Sequence, residues 1–276
     1  MTGNIQVDTL GGNDALTLNF AGGNFVPAGG LSYNGGSQSS SPGDTLTVTG
    51  GSNNTITHTF TNANDGSIQI DTINIQYTGL EPVTDNMAAV DRVFTFTGGS
   101  ETITLADAAG ANMIIDSTLG ESVTFANPTG SLTINGGTGD DTITISSVDA
   151  NGPFNVDLTI NGDDGGDVVN LNADITFAAG ENLDVNLTND AGSGDVDAIN
   201  VGTNANHVLS GAGAATLAGS YYIALASGSS LTTVDGAITL NANTAGLTSG
   251  NFVGIDVNGA TIQSSGTGAV TLVGKG

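Results

Sequence analysis

The chain has 276 residues, with 27 Asp and Glu against only two Lys and Arg, so its formal net charge is −25. This imbalance excludes nucleic acid as a partner, because phosphate binding needs clustered cations and the chain offers only Arg92 and Lys275. It also argues against binding to an anionic membrane surface, and no apolar run reaches the roughly 18 residues of a membrane helix. Cysteine is absent, which excludes disulfides and thiolate metal sites.

Composition also indicates the class of protein. Hydrophobic residues make up 38% of the chain, and they alternate with polar ones, which favours a folded β protein over an acidic disordered chain. Richness in Thr, Asn, Gly and Asp is typical of extracellular bacterial repeat proteins. The first residues, 1–4, lack the regions of a signal peptide, and we expect the chain to be a piece of a longer secreted or cell-surface protein.

A strand, a glycine-rich turn, an acidic residue and a second strand form the recurring pattern of the chain. Its first two acids are Asp14 and Asp44. Residues 49–92 keep the alternation of strands but lose a regular spacing, so they are expected to be either an irregular coil or a sandwich-like insert. Within them, 85–91 could form a single helical turn, and His58 is expected to be a partly buried structural histidine.

Three blocks between residues 94 and 145 align without gaps at a period of 20 residues, with Glu101, Glu121 and Asp141 at the acidic position. Strands this short bury too little surface alone. Stacking equivalent strands of successive coils at about 4.8 Å builds one apolar interior. The predicted fold is therefore an all-β parallel β-helix with coils of about 20 residues. Right-handedness is expected because parallel crossovers favour that hand.

The pattern continues downstream with longer loops. Its acids recur at Asp167 and Asp197, 26 and 30 residues after the preceding acid, as expected for a coil with loop insertions. Residues 202–276 keep the register only loosely, and 221–226 is favoured as a strand. No linker is evident, so residues 1–276 are expected to form one elongated domain.

One motif points to a metal ion. Residues 136–144, GGTGDDTIT, match the nonapeptide G-G-x-G-x-D-x-U-x, where U is a large apolar residue. Residues 162–170 match it with Asp163 in place of the second glycine. These residues resemble the haemolysin-type calcium-binding (RTX) repeats. The wider pattern is similar to long repetitive bacterial surface proteins of the filamentous-haemagglutinin-like kind.

The resemblance implies Ca²⁺ held by turn carbonyls and aspartate oxygens. Its implied ligands are Gly137, Gly139 and Asp141 in one turn and Gly165 and Asp167 in the next, with Asp14, Asp44 and Asp197 as further candidates. In the family the nonapeptides run in tandem, whereas here a full coil separates them, so a site is complete only if stacking joins two turns. The alternative is a solvated corner made of ordinary glycine-aspartate turns. It is favoured for Glu101 and Glu121, which lack the full glycine pattern.

The expected function is a non-catalytic structural or adhesive segment, stabilised by Ca²⁺. Its expected partners are neighbouring domains, copies of itself in an end-to-end filament, or surface glycans or proteins. The alternative is a β-helical carbohydrate-active enzyme or carbohydrate-binding module. Two distant cations are poor material for a polysaccharide lyase, and the chain has no Trp and only four Tyr to stack on sugars. His58 and His207 are isolated, which argues against a zinc or nucleophile–base site.

Overall fold

The computed structural model describes residues 3–38, 40–188, 195–246 and 248–276. Every regular element in these ranges is a β-strand, which confirms the all-β prediction. Among the same residues no helix is long and apolar enough to cross a membrane. Residues 1–2 and residues 189–194, the latter within one of the predicted repeats, lie outside the described residues.

The strands follow one another closely along the chain. The first ten are β1 (Ile5–Asp8), β2 (Ala15–Asn19), β3 (Leu31–Asn34), β4 (Asp44–Asn62), β5 (Asp65–Ile70), β6 (Ile73–Thr78), β7 (Leu80–Phe96), β8 (Thr102–Asp107), β9 (Asn112–Ser117) and β10 (Val123–Ala126). The next eight are β11 (Ser131–Thr138), β12 (Thr142–Ile145), β13 (Asp157–Asp164), β14 (Val168–Leu171), β15 (Ile175–Ala179), β16 (Leu183–Leu187), β17 (Ala198–Val201) and β18 (Asn206–Ser210). The last seven are β19 (Ala215–Gly219), β20 (Tyr222–Leu225), β21 (Ser230–Thr233), β22 (Ile238–Ala242), β23 (Ile255–Val257), β24 (Thr261–Ser264) and β25 (Val270–Gly274).

Strands from successive coils stack in three columns, mostly in parallel. Column A contains β1, β3, β6, β5, the second halves of β4 and β7, then β11, β13, β16, β19, β22 and β25. Column B contains β2, the first halves of β4 and β7, then β10, β9, β8, β12, β14, β17, β20 and β23. Column C contains β15, β18, β21 and β24. This arrangement is consistent with a β-helix.

The core lies between the columns. Apolar residues at alternate positions face inward, and the register places equivalent ones on top of one another. Ile103, Ile143, Val169 and Ile199 form one such row in column B, and none of them is exposed. Complete burial of side chains of this size stabilises the fold by about 1.5–3 kcal/mol each. The alternate residues, such as Thr144, face outward.

The 20-residue coil predicted for residues 94–145 is wrong. Thr142 pairs with Thr102, so one coil is 40 residues long here. Strands β8, β9 and β10 pair antiparallel and fold half of that length back on itself. Alternation alone could not separate the two cases, because a hairpin and a parallel coil both turn every second residue inward. The longer steps are confirmed, since Thr142 pairs with Val168 and Val168 with Ala198.

Two less regular regions also differ from expectation. Residues 85–91 lie inside strand β7, and Asp85, Met87 and Ala89 alternate inward, so the helical turn is wrong. In 49–92 the strands β4, β5 and β6 form antiparallel hairpins on the stack. The strands from β18 to β24 are more regular than expected for this part of the chain and occupy all three columns. The strand favoured at 221–226 is confirmed as β20.

Candidate functional site

The predicted acidic positions lie at the amino ends of column B strands. Glu101, Asp141, Asp167 and Asp197 each precede a strand by one residue, and those four strands are adjacent in register. Asp14 and Asp44 lie at the corresponding ends of β2 and β4, which also pair. We call the first four residues the acid ladder. The sequence pattern thus identified a row that the fold brings together at one edge.

Hydrogen bonds connect each coil of the ladder to the next. The backbone N–H of Glu101 donates to Asp141 Oδ1 at 2.9 Å, that of Asp141 to Asp167 Oδ1 at 2.9 Å, and that of Asp167 to Asp197 Oδ1 at 2.9 Å. In the first coils, the N–H of Asp14 donates to Asp44 Oδ1 at 2.6 Å. Each carboxylate therefore staples its coil to the preceding one, in addition to the backbone ladder.

The second carboxylate oxygen of these aspartates is unusual. Asp44, Asp141, Asp167 and Asp197 are at most 1% exposed, and their Oδ2 atoms have no hydrogen-bond partner. Burial raises the pKa of Asp141 to about 7, although the N–H of Glu101 opposes the shift. Burial likewise raises the pKa of Asp167 to about 7, and the charges of Asp141 and Asp197 add to this. At neutral pH these two carboxyls are poised between the acid and the carboxylate.

Glycines make room for the ladder. A Cβ at Gly136 would lie 3.0 Å from Asp141 Oδ2, one at Gly35 would lie 2.8 Å from Asp44 Oδ2, and one at Gly162 would overlap Asp167 Oδ2. Each aspartate thus folds its free oxygen over a residue without a side chain. The first glycine of the nonapeptide has a steric role that involves no metal.

The glycines within the turns are required for a different steric reason. Gly137, Gly139 and Gly165 have φ of +97°, +108° and +142°, a region that L side chains rarely adopt. A Cβ at Gly139 would lie 2.5 Å from Ser100 N, and one at Gly137 would overlap Phe96 O. The Gly139 N–H donates to Asp164 O at 2.8 Å, so the two nonapeptide turns do stack.

The ladder fits the implied calcium site only in part. Stacking brings Asp141 and Asp167 together, as the resemblance requires, and leaves one oxygen of each free. Ca²⁺ takes six to eight oxygen ligands, yet the described part of the chain contains no cluster of three or more His, Cys, Asp or Glu side chains that could hold a metal. Each Oδ1 accepts one N–H from the preceding coil. The implied site also relies on carbonyl oxygens of the turns, so calcium binding stays a prediction.

Glu101 and Glu121 are not solvated corners, which corrects the interpretation favoured from their sequence. Glu101 is 5% exposed and Glu121 is 1% exposed. Glu101 belongs to the ladder and accepts a hydrogen bond from Ser117 Oγ at 2.5 Å. Glu121 is separated from Glu101 by strand β9, because the hairpin replaces a coil. Both of its carboxylate oxygens lack a partner, and burial raises its pKa to about 9.

A second polar group lies inside the stack, and the sequence pattern did not reveal it as a group. Asp85, Arg92 and His58 are all fully buried, and His58 Nε2 lies 3.0 Å from Asp85 Oδ2. The expectation of a partly buried His58 is corrected to a fully buried one. The signal available in the sequence was the alternation of the strand, which places Arg92 on the same inward face as Phe94 and Phe96.

Comparisons with protein-family models, with curated proteins and with solved structures found no match to this chain. The resemblance to calcium-binding repeats and to repetitive surface proteins accordingly stays an expectation from the motifs.

Proposed function

We propose that this chain is a parallel β-solenoid that serves as a non-catalytic structural or adhesive segment of a secreted or cell-surface bacterial protein. One observation carries the proposal. The recurrent acidic motif is used between coils, where Asp141, Asp167 and Asp197 each accept the N–H of the preceding acid. A motif that joins each coil to its neighbour is suited to a continuous, stiff rod.

The surface of the described residues supports the same role. Outward rows carry short polar side chains joined across coils, such as Asn161 Nδ2 to Asn135 Oδ1 at 2.8 Å and Asn200 Nδ2 to Asn170 Oδ1 at 3.1 Å. These amides bond to one another along the row, and the pairs add cross-strand stabilisation. The β-helical enzyme or carbohydrate-binding module remains the alternative, with no specific observation in its favour.

At the carboxyl-terminal end of the stack, inward-facing apolar residues are partly exposed. Leu272 lies in the inward row on Leu240 and is 44% exposed, because no strand among the described residues covers the outer edge of β25. Ile255 and Ile262 in the other columns are partly exposed in the same way. An apolar interior left open, next to an unpaired strand edge, is a template for another strand. We propose that a second copy of the chain stacks on this end.

Sedimentation velocity over a concentration series tests this proposal. We expect an elongated particle that self-associates as concentration rises. Leu272→Asp should abolish association because the charge enters the open core. Val273→Asp is the matched control, since Val273 is 46% exposed but lies in the outward row on Asn241. Equal association of both variants would contradict the end contact, and a compact frictional ratio would contradict the rod.

A further inference from the structure

A charged cluster occupies inward positions that are apolar in the neighbouring coils. Asp85 lies in register between Val48 and Phe125, and Arg92 lies between Ile56 and Leu132. Neither side chain is exposed to solvent. Only two residues of the chain are Lys or Arg, so one of them is buried although the chain carries a large negative charge.

The contacts within the cluster are nearly complete. Arg92 donates to both carboxylate oxygens of Asp85, from Nη1 to Oδ2 and from Nη2 to Oδ1 at 3.3 Å. Its remaining bonds go to Met87 O at 2.5 Å and Ala126 O at 2.8 Å. His58 Nε2 lies 3.0 Å from Asp85 Oδ2. The guanidinium of Arg92 also lies 5.6 Å from the centre of the Phe125 ring, within cation–π range.

The separation of the two charged residues along the chain is informative. Asp85 and Arg92 belong to the same strand, β7, and are seven residues apart. A straight strand advances about 3.3 Å per residue, which would place them about 23 Å apart. Their contact requires β7 to turn between them. The turn falls where β7 leaves column B and enters column A.

The adjacent strand β4 makes the same turn by other means. Gly50 and Gly51 lie at its turn, both with φ of +77°, and the register shifts between Thr49 and Ser52. The turning part of β7, residues 87–90, contains no glycine. In β7, the contact between Asp85 and Arg92 across the inside of the turn takes the place of the two glycines.

We propose that the pair of Asp85 and Arg92, supported by His58, is a brace that fixes the turn of β7 and hence the angle between columns A and B. Strand β7 contacts β4 on one side and β10 and β11 on the other. The brace therefore also fixes where both hairpin insertions attach to the stack. Its residues are positioning residues and need contact no ligand.

Distance measurements across the turn test the brace. The chain has no cysteine, so Thr84→Cys and Thr95→Cys place two spin labels on the two arms of β7, at partly exposed positions. In the otherwise unchanged protein we expect one narrow distance distribution. The variant His58→Ile, Asp85→Val, Arg92→Leu replaces the cluster with apolar residues, a change that buried ion pairs often tolerate without loss of stability. We expect this variant to fold but to show a broadened or shifted distribution.

A second variant tests the brace if the first one does not fold. Arg92→Lys keeps the positive charge but cannot reach the Asp85 carboxylate, Met87 O and Ala126 O together, because lysine lacks the planar fork. We expect it to fold and to broaden the distribution as well. An unchanged narrow distribution in either folded variant would overturn the brace. Hydrogen exchange gives an independent readout. Asp85→Asn leaves Arg92 without its counter-charge and should speed exchange of β7 amides by at least about a hundredfold; an unchanged rate would also overturn the brace.

Discussion

Asp167 lies in the middle of the acid ladder, and its substitution by asparagine isolates the electrostatic cost of the buried row. Asparagine keeps the Oδ1 acceptor for the Asp141 N–H but cannot ionise. The pKa of Asp167 is raised to about 7, chiefly by burial, whereas the unfolded chain titrates near the ordinary value of about 3.9. The folded state therefore binds the proton more tightly than the unfolded state. The stability that the Asp167 carboxyl contributes is fully present below pH 3.9 and is lost as pH rises through 7.

The magnitude follows from the size of the shift. A raised pKa of about three units corresponds to about 4 kcal/mol, an upper limit because Asp141 titrates in the same range and shares the effect. Relative to the parent protein, Asp167→Asn should gain up to about 3 kcal/mol of stability between pH 5 and pH 9, because about one unit of the shift lies below pH 5. Titration of groups that do not interact with Asp167, including the histidines, cancels in this difference.

Urea unfolding at several pH values in the presence of chelator provides the assay. Asp164→Asn is the matched control, because Asp164 is also an aspartate, lies in the same turn and is exposed. The control should follow the parent protein at every pH. A constant difference between Asp167→Asn and the parent protein from pH 5 to pH 9 would refute the electrostatic reasoning.

Three further predictions concern the glycines, the second histidine and calcium. Gly162→Ala should destabilise the fold by about 1–3 kcal/mol, because the new Cβ overlaps Asp167 Oδ2; Gly99→Ala, with open space around it, is the control, and similar unfolding midpoints for the two would contradict the steric role. His207 is buried, both of its ring nitrogens lack partners, and burial lowers its pKa to about 4, so the parent protein should lose stability as pH falls from about 6.5 to 4. Substitution by Leu, the residue at the paired position 231, should remove up to about 3 kcal/mol of that loss in denaturant titrations, and an unchanged pH slope would contradict the assignment. For calcium, the hydrogen-bonded ladder predicts that thermal unfolding in excess chelator still shows a cooperative folded state; a chain that is unfolded without Ca²⁺ would contradict the ladder, whereas a Ca²⁺-specific stabilisation of about 2–4 kcal/mol at 100–1,000 times the dissociation constant would confirm the metal prediction.

The sequence was sufficient to predict the position of the acid ladder. Period-two alternation around Asp141 and Asp167, with an acid directly before each strand, indicates which residues share an edge. The partners along that edge were harder to predict. Glu101, Glu121 and Asp141 are evenly spaced, yet only Glu101 and Asp141 are neighbours, because the antiparallel hairpin of β8, β9 and β10 has the same local pattern as a coil.

The local sequence pattern also could not predict which charged side chains are buried. Aspartate after a glycine turn is ordinary turn chemistry, and nothing local to Gly162 and Asp167 shows that the carboxylate folds back over the glycine. The cluster around Arg92 depends on a turn that brings residues seven positions apart into contact. The alternation of residues 92, 94 and 96 is consistent with an inward-facing Arg92, but only the tertiary fold provides Asp85 as its partner.

Disulfide formation between paired cysteines tests most directly the claim that successive coils stack in the described register. Adjacent strands lie about 4.8 Å apart, within the Cα separation that a disulfide allows. We predict that the cysteine-free chain with Thr104→Cys and Thr144→Cys, which pair across one 40-residue coil, forms an intramolecular disulfide on mild oxidation. The pair Thr124→Cys and Thr144→Cys, which a uniform 20-residue coil would bring together, should not. Cross-linking of the second pair without the first would contradict the stacked arrangement and the acid ladder that depends on it.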